Sequence, residues 1–406
     1  MKRKVFAISL FVSMLLLAKP FYAQLPQVML TDSAKVSLIT CSQGEELYSI
    51  FGHSAIRIVD PVVGVDWVFN YGTFDFSDPN FYSNFVKGKL NYILSVSSYQ
   101  NFKYSYIFEE RYIYEQMLNL QQHEKQLLLD SLRINYLPEN RYYLYDFLFD
   151  NCATRIRDVF VEVIPRKVDF DYNSLKTGLS FRELLMPNVM EKPWAKLGIN
   201  LLLGVSADRQ AEPWEYMFLP EHMQTAFSTA SVGVDSLTKP LMQPSVTLLN
   251  GTEIPRTRFR ESPLMVFIGL LLLVVMLSYF DIKRGRASHW IDTVFFTLVG
   301  LLGVVIAFQW FGSNHVVMGN NYNLIWAHPL HLLGVVALLV KRLRLLARYY
   351  FGVNALVMVL VMILWFILPQ ELPFPMFPVV AAMAIRSAII FKFNIDKKIP
   401  LQNVDA

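Results

Sequence analysis

The sequence predicts an α+β extracytoplasmic domain followed by a bundle of about five transmembrane helices, and three observations carry that reading. The 406-residue chain is 54% hydrophobic and only 17% charged, with a mean hydropathy of +0.34, which is too apolar for an ordinary soluble globule. Its second half holds five long apolar segments, at about 263–280, 291–311, 325–340, 351–369 and 376–392, several near the ~20 residues that cross a hydrocarbon layer. Its first half mixes strand-like alternation with amphipathic helical spacing.

The N-terminus reads as a signal. MKRK supplies a basic region, VFAISLFVSMLLLA an apolar one, and Gln24 follows Ala23 at a candidate cleavage point. Phe21 stands where a small residue is preferred, so residues 1–23 are either a signal peptide or a retained N-terminal anchor. Both outcomes send the chain after residue 24 across the membrane. The remaining organisation is then a domain over 24–262, a membrane domain over 263–392 and a tail over 393–406.

The loops orient the spans. Lys283, Arg284 and Arg286 follow the first segment, Lys341, Arg342, Arg344 and Arg348 follow the third, and KFNIDKK follows the fifth. The loops FGSNHVVMGNNYN and PQELPFP carry neither lysine nor arginine. The excess of Lys and Arg marks the cytoplasmic side, so the C-terminus is cytoplasmic and the 24–262 domain lies outside. The third segment, interrupted by His328, Pro329 and His331, is the weakest crossing, with a re-entrant path as the alternative.

Within the first half, IRIVD, PVVG and VDWVFNYG read as a β-hairpin and LNYILSVSSY as a further strand. FEERYIYEQMLNLQQHEKQLLLDSLRINYL has the spacing of one or two amphipathic helices, with Glu110, Arg111 and His123 on the surface. NCATRIRDVFVEVI reads as a helix capped by Asn151 or Asp150. A net charge of +4 without a Lys/Arg stripe gives no ground for nucleic-acid binding.

Chemistry centres on two residues. Cys152 opens a helix, where unsatisfied backbone N–H groups stabilise a thiolate and can form an oxyanion hole. His53, in YSIFGHSAIRI, begins a strand and can take the thiol proton. Asn70, in the second arm of the hairpin, is the candidate to orient His53, with Asp75 and Asp60 as alternatives. Read alone, these residues leave other accounts open: a structural or disulfide-bonded Cys152, with Cys41 the one available partner, and a packed histidine. Arg57, Arg155 and Arg157 are candidates for a phosphate or for plain surface charge. His315, His328 and His331 have no carboxylate at ligand spacing, and no metal or cofactor is expected.

Histidine precedes cysteine, the order of circularly permuted papain-like folds. The blocks SLITCSQGEELYSIFGHSAIRI, FNYGTFDF, DFLFDNCATRIRD and LLLGVSADRQAEPWEYMFLPEHM together resemble the DUF4105 family over about 30–230. That resemblance implies a permuted NlpC/P60-like thiol enzyme of the bacterial inner membrane with its domain in the periplasm, and places the family's histidine and cysteine on His53 and Cys152. It further implies a lipoprotein N-acyltransferase. The acyl chain of a membrane phospholipid passes through a Cys152 thioester to the α-amino group of a diacylglyceryl-cysteine. Two other functions share the same residues: a membrane-tethered thiol hydrolase acting on peptidoglycan, and a non-enzymatic membrane sensor or assembly factor.

Overall fold

A computed structural model describes residues 25–74, 79–172, 178–234, 237–252 and 262–393; the leader at 1–23, Asp75 and the tail beyond 393 lie outside the described residues. The N-terminal half is built on strands β1 (Lys35–Cys41), β2 (His53–Asp60), β3 (Val65–Phe74), β4 (Asn91–Ser98), β5 (Ile113–Met117) and β6 (Tyr142–Leu144). Three short strands, β7 (Lys167–Asp169), β8 (Ser231–Val234) and β9 (Leu237–Pro240), form a small sheet of their own. Strand β10 (Val246–Leu249) returns to the main sheet, whose order is β10-β5-β1-β2-β3-β4-β6 with antiparallel neighbours throughout.

Both faces of this sheet are covered. Val36, Leu38, Ile56, Ile58 and Phe69 pack on one face against helices α3 (Gln122–Tyr136), α4 (Cys152–Val163) and α7 (Pro220–Thr229), through Leu128, Leu132, Ile156, Phe160 and Phe227. Ile39, Ala55 and Val68 alternate to the other face, under Phe102 and Tyr106 of α2 (Tyr99–Phe108). Helices α1 (Phe81–Val86), α5 (Phe181–Leu185) and α6 (Pro193–Leu202) complete the helices of this half.

The hairpin forms as the pattern predicts, with Asp60 paired to Val65 across the PVVG turn. The helical reading of 108–137 needs correction. Ile113–Met117 is strand β5, hydrogen-bonded to β1, and the helix is confined to Gln122–Tyr136. Tyr112, Ile113 and Tyr114 suit a pleated, half-buried surface, and pairing with β1 outweighs the helical spacing. Arg111 moves with that change: it is 5% exposed, not a surface residue.

Among the described residues, five segments are long and apolar enough to cross a membrane: Pro263–Arg284, His289–Phe311, Val316–Leu339, Lys341–Leu364 and Phe374–Phe393. Their helices are α8 (Pro263–Arg284), α9 (His289–Phe311), α10 (Leu330–Leu339), α11 (Arg344–Leu364) and α12 (Phe377–Phe393). The third segment is α-helical only over its ten-residue C-terminal leg, preceded by short 3-10 turns at Val316–Met318 and Tyr322–Ile325. Non-helical backbone at membrane depth needs internal partners. Asn321 and Asn323 supply side-chain bonds here, and Gly303 lets α9 come so close that a methyl there would overlap the Ala327 carbonyl. Fully buried Arg386 of α12 bonds Asp292 of α9 at 2.6 Å and Asp281 of α8 at 2.9 Å, tying three spans at one end.

The two halves interlock. Asn321 donates to the carbonyls of Leu201 and Leu202, Gln370 to that of Leu203, and the Gly204 N–H to that of Val317. Beneath this seam Arg182, with no exposed surface, is held by Asp208 at 2.7 and 3.0 Å, by Asn200 and by the carbonyls of Leu203 and Gly204. Truncating Asp208 leaves that guanidinium buried without a counter-charge. Asp208→Ala is expected to cost about 3 kcal/mol or more, read as a clear drop in the unfolding midpoint of the detergent-solubilised protein.

Candidate active site

Helix α4 begins at Cys152 because Asn151 caps it from both ends of its own side chain. Its Oδ1 accepts from the N–H of Ala153 at 2.8 Å and of Thr154 at 3.0 Å, while Thr154 Oγ1 accepts from the Asn151 N–H. Its Nδ2 donates to the carbonyls of Phe147 and Phe218. The second of these bonds fastens the helix start to the WEYMFLPEH segment, whose Pro220 lies against Gly52, beside His53.

His53 is the first residue of β2, and Cys41, at the end of β1, pairs with it. Continuing the β2–β3 register from Ile56 opposite Phe69 brings His53 opposite Gly72 and one step diagonal to Asn70. The His53 Nε2 lies 2.6 Å from Asn70 Oδ1. Because a carbonyl oxygen only accepts, Nε2 carries the proton and Nδ1 of the neutral ring is the basic nitrogen.

Gly72 shows what this end of the sheet brings together. Its φ of +90° sits within the register shift between Asn70 and Thr73. A methyl there would lie 3.7 Å from Cys152 Cβ, 3.7 Å from His53 Cε1 and 3.9 Å from the Tyr143 hydroxyl oxygen. The side chains of Cys152, His53 and Tyr143 thus border one point that has no side chain of its own, the cysteine through its Cβ. The Tyr143 hydroxyl is buried without a hydrogen-bond partner, as is Ser54 Oγ next to His53.

Burial dominates the electrostatics. It pushes the His53 imidazole down to about 4, against the Asn70 bond, and the Arg111 charge lowers it further. Burial also pushes the Cys152 thiol up to about 11, while the N–H groups of Ser54, Ala153 and Cys152 and the Arg111 charge pull it back. The resting state is therefore a neutral thiol beside a neutral imidazole. Cys41 is buried, raised to about 12 by that burial, and both cysteines are free, so no disulfide consumes Cys152.

The other sequence candidates separate cleanly. Asp60 closes the far end of the hairpin, where it accepts from Thr31 and from the Val62 N–H. Arg57 is occupied by Asp66 and Glu115, Arg155 by Asp150, and Arg157 by Asp158 and Trp214. Three residues escaped the sequence reading. Tyr143 stands in the run RYYLYDF ahead of Cys152, and Gly72 is a lone glycine in a strand pattern, which marks a bulge or a close approach. Arg111 bonds the Ser42 carbonyl and Glu109 but keeps Nη2 buried and unpaired; no sequence signal identifies it.

Fold and site define a class: a membrane-embedded protein carrying an α+β extracytoplasmic domain with a helix-start thiol. Residues 23–182 match the family model described as the Lnb N-terminal periplasmic domain, and residues 255–398 match that described as the Lnb transmembrane domain. The chain belongs to the Lnb family. No curated protein and no solved structure matches it. Membership makes the chain an enzyme of the inner membrane with its N-terminal domain in the periplasm, and supports lipoprotein N-acyltransferase activity as its function.

The convergence on Gly72 has a direct consequence. Gly72→Ala is expected to fold with a loss of about 1–2 kcal/mol from its positive φ. Its methyl fills the space between Cys152, His53 and Tyr143, and N-acylation is expected to fall by tenfold or more. Unfolding midpoint and acylation rate measured on one preparation check both halves of that expectation.

Proposed function

We propose that Cys152, His53 and Asn70 form the catalytic set of a permuted papain-like site. In this reading it moves an acyl chain from a membrane phospholipid to the α-amine of a diacylated lipoprotein. The observation that carries the reading is the approach of the Cys152 and His53 side chains to the same point at Gly72, with the imidazole proton committed to Asn70. A helix-start cysteine, a strand histidine and an asparagine on that histidine are the parts a papain-like site uses, and their presence here supports this reading.

The neutral pair sets the mechanism. Cys152 Sγ attacks the ester carbonyl of the phospholipid as its proton passes to His53 Nδ1, so no thiolate need accumulate beforehand. The backbone N–H of Cys152 and the unpartnered hydroxyl of Tyr143 are the donors available to the oxyanion. Burial holds the Tyr143 hydroxyl well above its ordinary pKa and so keeps it a donor. Collapse breaks the ester C–O bond, and the lysophospholipid oxygen leaves with the proton from His53. The acyl chain now rests on sulfur. The free α-amine of the lipoprotein attacks the thioester, His53 takes the amine proton, and the thiol is restored.

A thioester is open to water as well as to amines, so this site needs an apolar surround. Tyr92, Tyr143 and Tyr145 supply it on one side: Tyr92 stacks on Tyr145 at 4.1 Å and lies 6.2 Å from Tyr143.

Reconstitution of the protein with phospholipid and a diacylated lipopeptide tests the assignment. Mass spectrometry is expected to find the lipopeptide acylated on its α-amine, with Cys152→Ser and His53→Ala reducing the rate by a factor of a thousand or more. Full activity in either variant contradicts the mechanism, and hydrolysis of muropeptides without N-acylation points to the thiol-hydrolase alternative.

The pH dependence is distinctive. A base with a pKa of about 4 is about 97% neutral at pH 5.5, whereas an unshifted histidine near 6.5 is only about 9% neutral there. The rate of thioester formation, followed by quenched-flow mass spectrometry, is therefore expected to change less than twofold between pH 7.5 and 5.5. A tenfold fall would show that His53 titrates as an exposed imidazole.

A further inference from the structure

Helix α1 (Phe81–Val86) has no buried residue, and Tyr82, Phe85 and Val86 are 80%, 51% and 44% exposed. The C-terminal end of α1 is fastened to the loop that joins the second and third membrane spans. The Asn314 N–H donates to the Lys87 carbonyl at 2.8 Å, and His315 Nε2 donates to the Phe85 carbonyl at 3.0 Å. At Gly88, whose φ is +64°, a Cβ would stand 3.1 Å from the His315 nitrogen, so the two backbones meet directly. That loop follows Trp310 and Phe311 at the end of α9, which stack at 4.6 Å, with Phe311 74% exposed. Aromatic residues at a helix end of this kind mark the membrane–water interface, and α1 is held at their level.

Two further features point the same way. Lys87 and Lys89, immediately after α1, are exposed, as expected of an interfacial helix whose basic residues meet phosphate headgroups. From α1 an unbroken run of rings leads back to the nucleophile. Tyr82 touches Phe81 at 5.3 Å, Phe81 touches Phe74 at 6.0 Å, Phe74 touches Tyr92 at 4.7 Å, and Tyr92 touches Tyr143 at 6.2 Å. Phe74, Phe81 and Cys152 are half-buried against the main core, whereas Tyr92 and Tyr143 between them are buried within it, so the run is open at its membrane end and closed by rings near the sulfur.

We propose that α1 inserts Tyr82, Phe85 and Val86 into the outer leaflet of the membrane the protein spans, and that Phe81, Phe74 and Tyr92 form the acyl-chain path from that leaflet to Cys152. This rests on Cys152 as the acyl-accepting thiol. A phospholipid acyl chain is the occupant that fits. The run is aromatic along its length, starts at the lipid level and ends beside Cys152, and the headgroup stays beside Lys87 and Lys89.

Two measurements on the full chain in lipid nanodiscs test it. A spin label on Tyr82→Cys, in a Cys152→Ala background, is expected to relax faster with lipid-soluble oxygen than with an aqueous nickel chelate; the reverse order places α1 in water and overturns the proposal. The paired variant Tyr82→Asp, Phe85→Asp is expected to form the Cys152 thioester at least tenfold more slowly from bilayer phospholipid, yet at the wild-type rate from a water-soluble short-chain ester. Equal rates from phospholipid overturn the path. A folding defect would slow both donors together, and that result also counts against the path. If the wild-type protein takes no acyl group from the short ester at Cys152, the catalytic reading fails, while the spin-label result still decides the membrane contact of α1.

Discussion

Everything at the site depends on where helix α4 starts, and Asn151 sets that start. One side chain satisfies two N–H groups of the first turn and reaches back with its amide to two carbonyls, of Phe147 and of Phe218. These four bonds fix the position of the Cys152 backbone against a segment more than sixty residues later in the chain. The sheet supplies the other half of the constraint. β2 begins at His53, β3 bulges at Gly72, and the missing side chain at Gly72 leaves a space bordered by the side chains of Cys152, His53 and Tyr143.

The same arrangement explains why the pair rests uncharged. Burial raises the thiol and lowers the imidazole, and the nearby Arg111 adds to the second effect. A buried ion pair would need its attraction to offset two desolvation penalties. A neutral pair avoids both, and proton transfer is postponed until the carbonyl is in place. On the proposed mechanism this suits a thioester that would be open to water unless a lipid chain covered it.

Much of this was legible in the sequence, for identifiable reasons. The hairpin, the helix beginning at Cys152 and the apolar spans are local patterns, and local patterns survive folding. The family resemblance carried by separated blocks agrees with the Lnb models matched at both ends of the chain. Asn70 was one of three candidates, within reach of His53 if PVVG is the turn, and the register that sets it diagonal to His53 comes from the paired strands. What escaped depends on distant pairing. Ile113–Met117 has helical spacing but becomes a strand because β1 offers it an edge, and Arg111 is buried by that same pairing. Tyr143 is one of several neighbouring tyrosines, and nothing in the run RYYLYDF says which of them reaches Cys152. The ten-residue helix of the third span was foreshadowed by Pro329, but the asparagine bonds that hold its irregular half come from tertiary packing alone.

The claim at the centre is that phospholipid leaves its acyl chain on one sulfur atom. Incubating the protein with phospholipid vesicles, without an acceptor, and quenching in acid allows that sulfur to be read directly by peptide mass spectrometry. The account predicts a single acyl group on the peptide containing Cys152, labile to neutral hydroxylamine and discharged when a diacylated lipopeptide is added. Acyl transfer to the lipopeptide proceeding while Cys152 is never modified would contradict it.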